Sequence, residues 1–288
     1  GGHSLKAMLA ISKINKVMGI EAPLNVIFER STIKEMSEFI SNYKVLEKTK
    51  GNQFISNNVI LFKDKKDNNI FAFPPIVTNG VVYRHLANQL NKHALYALNF
   101  IEEENKIQKY IEILKSINPN KPFLLLGYSA GGNIAFEVAK ELQAQGNEIK
   151  NIILMDTYKM TGERNPLRNE IKSQNAELLI KQLEEQHERK QYNGNIYTSK
   201  ALKEKIEKYK EYISNLNNLG NVKANISLIK SADITDTTKE FETLKEEWEY
   251  STTKKFQVYR GYGAHSEMLK ECYVEKNAQI IKDILAKD

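Results

Sequence analysis

One cysteine, Cys272, occurs in 288 residues. No disulfide can close within the chain, which fits a reducing compartment. Long hydrophobic runs are lacking too. None approaches the roughly 20 apolar residues of a bilayer-spanning helix, and no stretch reads as a signal peptide. The expectation is a cytoplasmic protein without a membrane span. One-sided charge is also missing. The formal net charge is only +6, and lysines are interleaved with glutamates, as in Leu202-Lys203-Glu204-Lys205-Ile206-Glu207-Lys208, the pattern of a solvated helix face. No basic stripe with aromatics is present, so no nucleic-acid partner is expected. With 41% hydrophobic and 27% charged residues, the chain is ordinary for a globular protein. Its length suits one large α/β domain plus something small.

The most informative stretch runs from Phe123 to Val138. Phe123-Leu124-Leu125-Leu126 is a short apolar run that predicts a buried strand. Gly127-Tyr128-Ser129-Ala130-Gly131 fits G-x-S-x-G, and apolar residues then recur at helical spacing. Strand, tight turn and helix together form the context of a nucleophile elbow. The glycines leave room for a sharp turn, with the Ser129 hydroxyl exposed at the corner. The amides opening the following helix point toward any negative charge that forms nearby. A glycine-rich strand–helix turn with an incidental serine is the plainer reading of the pentapeptide alone.

In chain order, the sequence opens with Gly1-Gly2-His3-Ser4-Leu5 and helical spacing of Leu5, Met8, Leu9, Ile11 and Ile14. Ser4 lies at a helix start, where an N-cap is its simplest role. A further short helical turn at Val26–Glu29 and a helix from Ser31, the expected cap, to Ile40 follow. These pieces are too few to bury a core, so more chain is expected upstream. Residues 43–58 turn polar and read as a linker. Strands are expected at Val59–Phe62, Asn69–Phe73, Leu95–Phe100, Asn151–Met155, Ala224–Lys230 and Phe256–Arg260. Helices are expected at Tyr83–Leu90, Lys106–Ile117 and Asn277–Ala286. Alternating strands and helices predict a mostly parallel sheet with right-handed crossovers. From Lys159 to about Gly220 the sequence is helical and highly charged. This insertion is placed to form a mobile lid over the strand ends.

Open parallel sheets carry their chemistry at the carboxyl ends of strands. Ser129, Asp156 and His265 are all expected there, in the chain order Ser…Asp…His. A serine hydroxyl needs a base to attack. His265 can take its proton, and Asp156 can fix the imidazole tautomer and stabilise the imidazolium. Asp156 could instead cap a loop, and His265 competes with His3, His85, His93 and His187. An oxyanion hole would use the Ala130 amide and one from the loop after Asn69–Phe73. Pro74 and Pro75 have no N–H, which leaves Ile76. No metal site is expected.

Taken together, Phe73-Pro74-Pro75, Phe100-Ile101-Glu102-Glu103, Gly127-Tyr128-Ser129-Ala130-Gly131-Gly132, Asp156-Thr157-Tyr158-Lys159 and Gly261-Tyr262-Gly263-Ala264-His265 resemble the terminal thioesterase domain of nonribosomal peptide synthetases of the surfactin and fengycin type. The resemblance covers residues 59–288. Residues 1–42 resemble the second half of a peptidyl carrier domain, in which the serine of Gly-Gly-His-Ser-Leu, here Ser4, bears phosphopantetheine. The first carrier helix and the loop before that serine are not in the sequence. The resemblance implies an α/β-hydrolase fold with a helical lid, Ser129, Asp156 and His265 as a triad, and Ile76 and Ala130 as oxyanion donors. It implies a peptidyl or acyl thioester as substrate and upstream synthetase modules and a carrier domain as partners. The implied reaction releases the finished chain through an acyl-Ser129 ester, by macrocyclisation or hydrolysis. Two rival readings are a stand-alone editing thioesterase and a non-catalytic module that docks a carrier.

Overall fold

The strand Phe123–Tyr128 is buried on both faces, and the rest of the sheet is built outward from it. The computed structural model describes residues 4–18, 26–30, 32–46, 58–62, 68–76, 80–119, 122–161, 197–233 and 239–287. Outside them lie Gly1-Gly2-His3, linker residues 47–57 and residues 162–196 of the expected insertion.

Seven strands form one sheet: β1 (Val59–Phe62), β2 (Asn69–Phe73), β3 (Ala94–Leu98), β4 (Phe123–Tyr128), β5 (Ile149–Met155), β6 (Asn225–Lys230) and β7 (Phe256–Arg260). The order across the sheet is β1-β3-β2-β4-β5-β6-β7. Only β1 runs antiparallel, pairing Val59 with Leu98 and Phe62 with Leu95. All other neighbours are parallel, as expected of the α/β class.

Period-2 alternation divides each central strand between two cores. Phe71, Phe73, Leu125, Ile152 and Leu154 point to one face. Ile70, Ala72, Leu126, Ile153 and Met155 point to the other. Both sets are apolar because helices cover both faces, and so the strands read as continuous hydrophobic runs. In chain order the helices are α1 (Ser4–Met18), α2 (Val26–Glu29), α3 (Ile33–Leu46), α4 (Arg84–Gln89), α5 (Lys106–Ile117), α6 (Ala130–Ala144), α7 (Tyr197–Asn215), α8 (Lys239–Glu249) and α9 (Glu271–Ala286). The first core takes Tyr110 of α5, Ile134 and Phe136 of α6, Tyr209 of α7 and Trp248 of α8. The second takes Leu86 of α4 and Val274, Ala278 and Ile281 of α9.

Several expectations change in detail. The helix expected at Tyr83–Leu90 is a 3-10 turn, Gly80–Tyr83, leading into α4. Helix α9 begins six residues before Asn277, at Glu271. Helix α8 was not anticipated. Ser31 lies outside the described residues, and Thr32 caps α3: the Thr32 hydroxyl accepts from the Glu35 N–H (3.2 Å), while the Glu35 carboxylate accepts from the Thr32 N–H (3.0 Å), a reciprocal capping box. Helix α3 continues to Leu46, so residues 43–46 of the expected linker are helical. Helices α1 to α3 bury a small cluster of their own, Ile11, Val26, Met36 and Ile40.

The largest correction concerns the expected mobile cover. Its C-terminal part, α7, is packed into the core, with Ile206, Tyr209 and Ile213 at most 3% exposed. The Tyr209 ring stacks on Phe100 with centroids 4.1 Å apart. High overall charge hid this apolar stripe, which sits at i, i+3 and i+7, one face of a helix.

Candidate active site

The polar groups of the site sit where the parallel strands end. Each strand end is tied to its neighbour beyond the ladder. The Ser129 N–H donates to the Met155 carbonyl (2.8 Å), the Asp156 N–H to the Ile229 carbonyl (2.8 Å), and the Gly261 N–H to the Lys230 carbonyl (2.6 Å).

Ser129 follows β4 directly and has φ 55° and ψ −131°. Non-glycine residues seldom occupy this region, and holding one there costs on the order of 1–3 kcal/mol. Close backbone contact enforces it. A Cβ on Gly127 would overlap the backbone of Gly132, and one on Gly131 would overlap the Phe73 carbonyl. The Ser129 carbonyl accepts from the Gly132 N–H and from the Thr157 hydroxyl, each at 3.0 Å. Ala130 is the first residue of α6, so its N–H has no acceptor within the helix. Helix α6 packs its start against Phe73 and Pro74, which brings the β2 loop carrying Ile76 beside the elbow.

Asp156 follows β5 with φ 45°, a left-handed conformation that Asp tolerates better than most residues. It is 3% exposed. Its Oδ1 accepts the Ser231 N–H at 3.0 Å, and its Oδ2 lies 2.6 Å from His265 Nδ1. Burial pushes the carboxyl pKa up, but the hydrogen bond and charge of His265 and the Ser231 N–H more than offset this. Asp156 is held below its ordinary value, so it is ionised and only accepts. His265 Nδ1 must then carry the proton, leaving Nε2 as the acceptor. Nε2 lies 3.1 Å from Ser129 Oγ.

His265 stands on the loop after β7. Asn277 of α9 fixes that loop by donating to the carbonyls of Tyr262 and Met268 (2.8 Å each) and accepting the Tyr262 N–H (2.9 Å). The Asp233 carboxylate accepts the His265 N–H at 2.8 Å, and the Tyr128 hydroxyl donates to the His265 carbonyl. The His265 side chain remains 44% exposed, so it is open to solvent on one side. Thus the structure brings Ser129, Asp156 and His265 together, with Ala130 at the start of α6 and Ile76 two residues beyond Pro74, whose carbonyl lies against Gly131. His85 lies elsewhere, 3.4 Å from Glu271. Ser4 is the first residue of α1. Sequence reasoning missed Ser231 and Asp233, and it quoted Thr157 beside Asp156 without linking it to the Ser129 carbonyl. Tyr128 was inside the motif, but nothing in the sequence linked it to His265. Among the described residues no cluster of His, Cys, Asp and Glu could hold a metal ion, and no helix is long and apolar enough to cross a membrane.

A mostly parallel sheet with a serine on its strand–helix elbow, followed in the chain by an aspartate and a histidine at later strand ends, defines an α/β-hydrolase fold. The family model described as "Thioesterase domain" matches residues 68–287, and the chain belongs to that family. A second model, "Phosphopantetheine attachment site", matches residues 1–40. Surfactin synthase subunit 3 of Bacillus subtilis (strain 168) is 33% identical over 285 residues, 99% of this chain and 21% of that protein. Gramicidin S synthase 2 of Brevibacillus brevis is 34% identical over 324 residues, 99% of this chain and 7% of that protein. The chain therefore spans a small fraction of the curated relatives it matches. Among solved structures, the thioesterase domain described for cyclization of the lipopeptide antibiotic surfactin is 32% identical. It has a TM-score of 0.65 and covers 79% of this chain and 95% of its own.

Proposed function

We propose that this chain releases a peptidyl or lipopeptidyl group from a carrier-bound thioester through an ester on Ser129, by macrocyclisation or hydrolysis. The observation that carries the reading is His265 lying between Asp156 and Ser129, at 2.6 and 3.1 Å. Ser129 Oγ attacks the thioester carbonyl and passes its proton to His265 Nε2. The amides of Ala130 and Ile76 receive the charge that develops on the carbonyl oxygen. The carbon–sulfur bond breaks as His265 returns the proton to the departing sulfur, leaving the Ser129 ester. An incoming amine, hydroxyl or water gives a proton to His265 as it attacks the ester, and the Ser129 oxygen takes that proton back. Asp156 keeps Nδ1 protonated throughout and stabilises the imidazolium.

Ser4 is our candidate for phosphopantetheine attachment, within a partial carrier at residues 1–42 joined by the linker to the thioesterase at 59–288. A serine hydroxyl is the right anchor for a phosphodiester. The start of the 15-residue helix α1 offers its amides and dipole to the phosphate. Phosphopantetheine, when attached, supplies the thiol on which the acyl chain arrives. Upstream synthetase modules are the partners this reading requires. A carrier-type match in the same chain as the thioesterase favours release in cis over a stand-alone editing enzyme.

The test is covalent labelling. A fluorophosphonate should add one mass equivalent to the native chain and none to Ser129→Ala, with thioester turnover lost by a factor on the order of 10⁶. A non-catalytic docking module would label with neither. Undiminished labelling of Ser129→Ala would reject the nucleophile. For Ser4, a phosphopantetheinyl transferase acting on the chain with its upstream carrier half should add mass to the native protein and not to Ser4→Ala.

A further inference from the structure

Between the end of β2 and the Ile76 N–H lie two successive prolines, Pro74 and Pro75. Neither can donate a hydrogen bond, so no N–H fixes this stretch. Its carbonyls are fixed instead. The Tyr83 hydroxyl donates to the Phe73 carbonyl, and the Tyr209 hydroxyl donates to the Pro74 carbonyl at 2.5 Å. Both tyrosines are fully buried, at 0% and 1% exposure. They come from opposite sides of the sheet, Tyr83 from the turn before α4 and Tyr209 from α7.

The torsions that set the direction of the Ile76 N–H are ψ of Phe73, φ and ψ of Pro74, and φ and ψ of Pro75. The pyrrolidine rings fix both φ angles near −65°. A carbonyl's direction follows the ψ of its own residue, so Tyr83 sets ψ of Phe73 and Tyr209 sets ψ of Pro74. Only ψ of Pro75 is left to local packing. Tyr83 also reaches the other half of the site, because its oxygen accepts the Tyr128 N–H at 3.0 Å, one residue before Ser129. A single hydroxyl thus ties the strand end before Ile76 to the strand end before Ala130. Burial raises the pKa of both phenols well above its usual value, so both stay donors at any working pH.

We propose that Tyr83 and Tyr209 are positioning residues that aim the Ile76 amide at the oxyanion and hold it in register with the Ala130 amide. This rests on the reading of Ile76 and Ala130 as oxyanion donors. Neither tyrosine touches substrate. Each acts through the Phe73–Ile76 backbone, and the geometry they fix matters only once charge develops on the carbonyl oxygen.

The test uses the full chain, Tyr83→Phe, Tyr209→Phe and Ser129→Ala, with a peptidyl N-acetylcysteamine thioester as substrate. Functional sites are first counted by the endpoint of fluorophosphonate labelling. Deleting an oxyanion donor outright costs about 10²–10³ in kcat. Loosening one should cost less, so each Phe variant should lose about tenfold in kcat per labelled site, with KM within about twofold. Labelling should slow by a similar factor but reach the same endpoint. Tyr209→Phe keeps the stacked ring and is the safeguard should Tyr83→Phe fold poorly. Unchanged kcat per labelled site in Tyr209→Phe, with Ser129→Ala inert, overturns the clamp and leaves the catalytic reading standing. An active Ser129→Ala overturns both.

Discussion

Asp156→Asn tests the site's proton bookkeeping at a single atom. Asp156 holds two donors apart: Oδ1 accepts the Ser231 N–H at 3.0 Å and Oδ2 faces His265 Nδ1 at 2.6 Å. An asparagine can satisfy the Ser231 N–H only by placing its oxygen there, so its NH2 then faces His265. Nδ1 must become an acceptor, Nε2 carries the hydrogen, and the ring can no longer take the Ser129 proton. Flipping the amide restores the tautomer but sets NH2 against the Ser231 N–H. That leaves two buried donors unmet, at about 1–3 kcal/mol each. The productive flip is then about 30-fold to 10⁴-fold rarer. Loss of the negative charge beside the imidazolium adds to this, and a total of about 10⁴ in kcat matches the serine-protease case. The assay is thioester turnover per folded molecule, with thermal melting as the fold control. Turnover within about tenfold of native, in a folded variant, would refute the reasoning and mean that another carboxylate, such as Asp233, holds the ring.

Four further outcomes can be measured. Because the folded pKa of Asp156 is depressed, the stability its charge adds is fully present above the unfolded value of about 3.9 and is lost as pH falls through the folded one. Urea midpoints of native chain and Asp156→Asn should therefore converge below about pH 4, and a gap that widens toward acid would contradict this. Gly131→Ala should lose about 1–3 kcal/mol and slow fluorophosphonate labelling, since its Cβ would overlap the Phe73 carbonyl and lie 2.8 Å from that of Pro74; a native urea midpoint with native labelling would show that the loop yields freely. Replacing residues 159–220 by a short loop should unfold the domain, because losing buried Ile206, Tyr209 and Ile213 costs about 2–5 kcal/mol each against a total stability of about 5–15. Excising 162–196 alone should keep Ser129 labelling and shift products from cyclic toward linear; an unchanged cyclic-to-linear ratio would reject a cover role for that stretch.

The parts of the site that sequence made visible are those marked by a change of pattern. The run Phe123–Leu126 ends abruptly in a glycine-flanked serine, Ile152–Met155 ends in an aspartate, and Phe256–Arg260 runs into a glycine-bearing loop with a histidine. Each break is local, so spacing along the chain was enough. The tyrosine contacts were not legible in the same way. Tyr83 and Tyr209 bond to backbone carbonyls, which every residue carries, and Tyr209 lies 135 positions from its partner. Ser231 likewise meets Asp156 through its backbone N–H. Helix α8 was overlooked despite a readable stripe, Phe241, Leu244 and Trp248, at i, i+3 and i+7; its dense glutamates and lysines masked the period. The antiparallel β1 gave no warning, because four apolar residues look the same in either direction.

The bonds that peg each strand end to the next give the sheet a metrical role. Ser129, Asp156 and Gly261 are each pegged just past the last rung of three successive parallel ladders, so the spacing of these strand ends is counted out in whole residues by strand pairing. Sliding β4 against β5 by two residues, the smallest slip that keeps each side chain on its own face, would carry Ser129 about 6.6 Å along the strand, against a tolerance of about 0.5 Å for productive geometry. An added residue between Leu124 and Tyr128, or between Asn151 and Met155, would therefore break the spacing at the site, whereas the shift already present between Phe123 and Leu124 lies at the far end of β4. The loops beyond these ends are held by side chains instead, the His265 loop by Asn277, Asp233 and Tyr128 and the Pro74 carbonyl by Tyr209. Strand pairing thus fixes where Ser129 and Asp156 stand, and those side-chain contacts fix where His265 meets them.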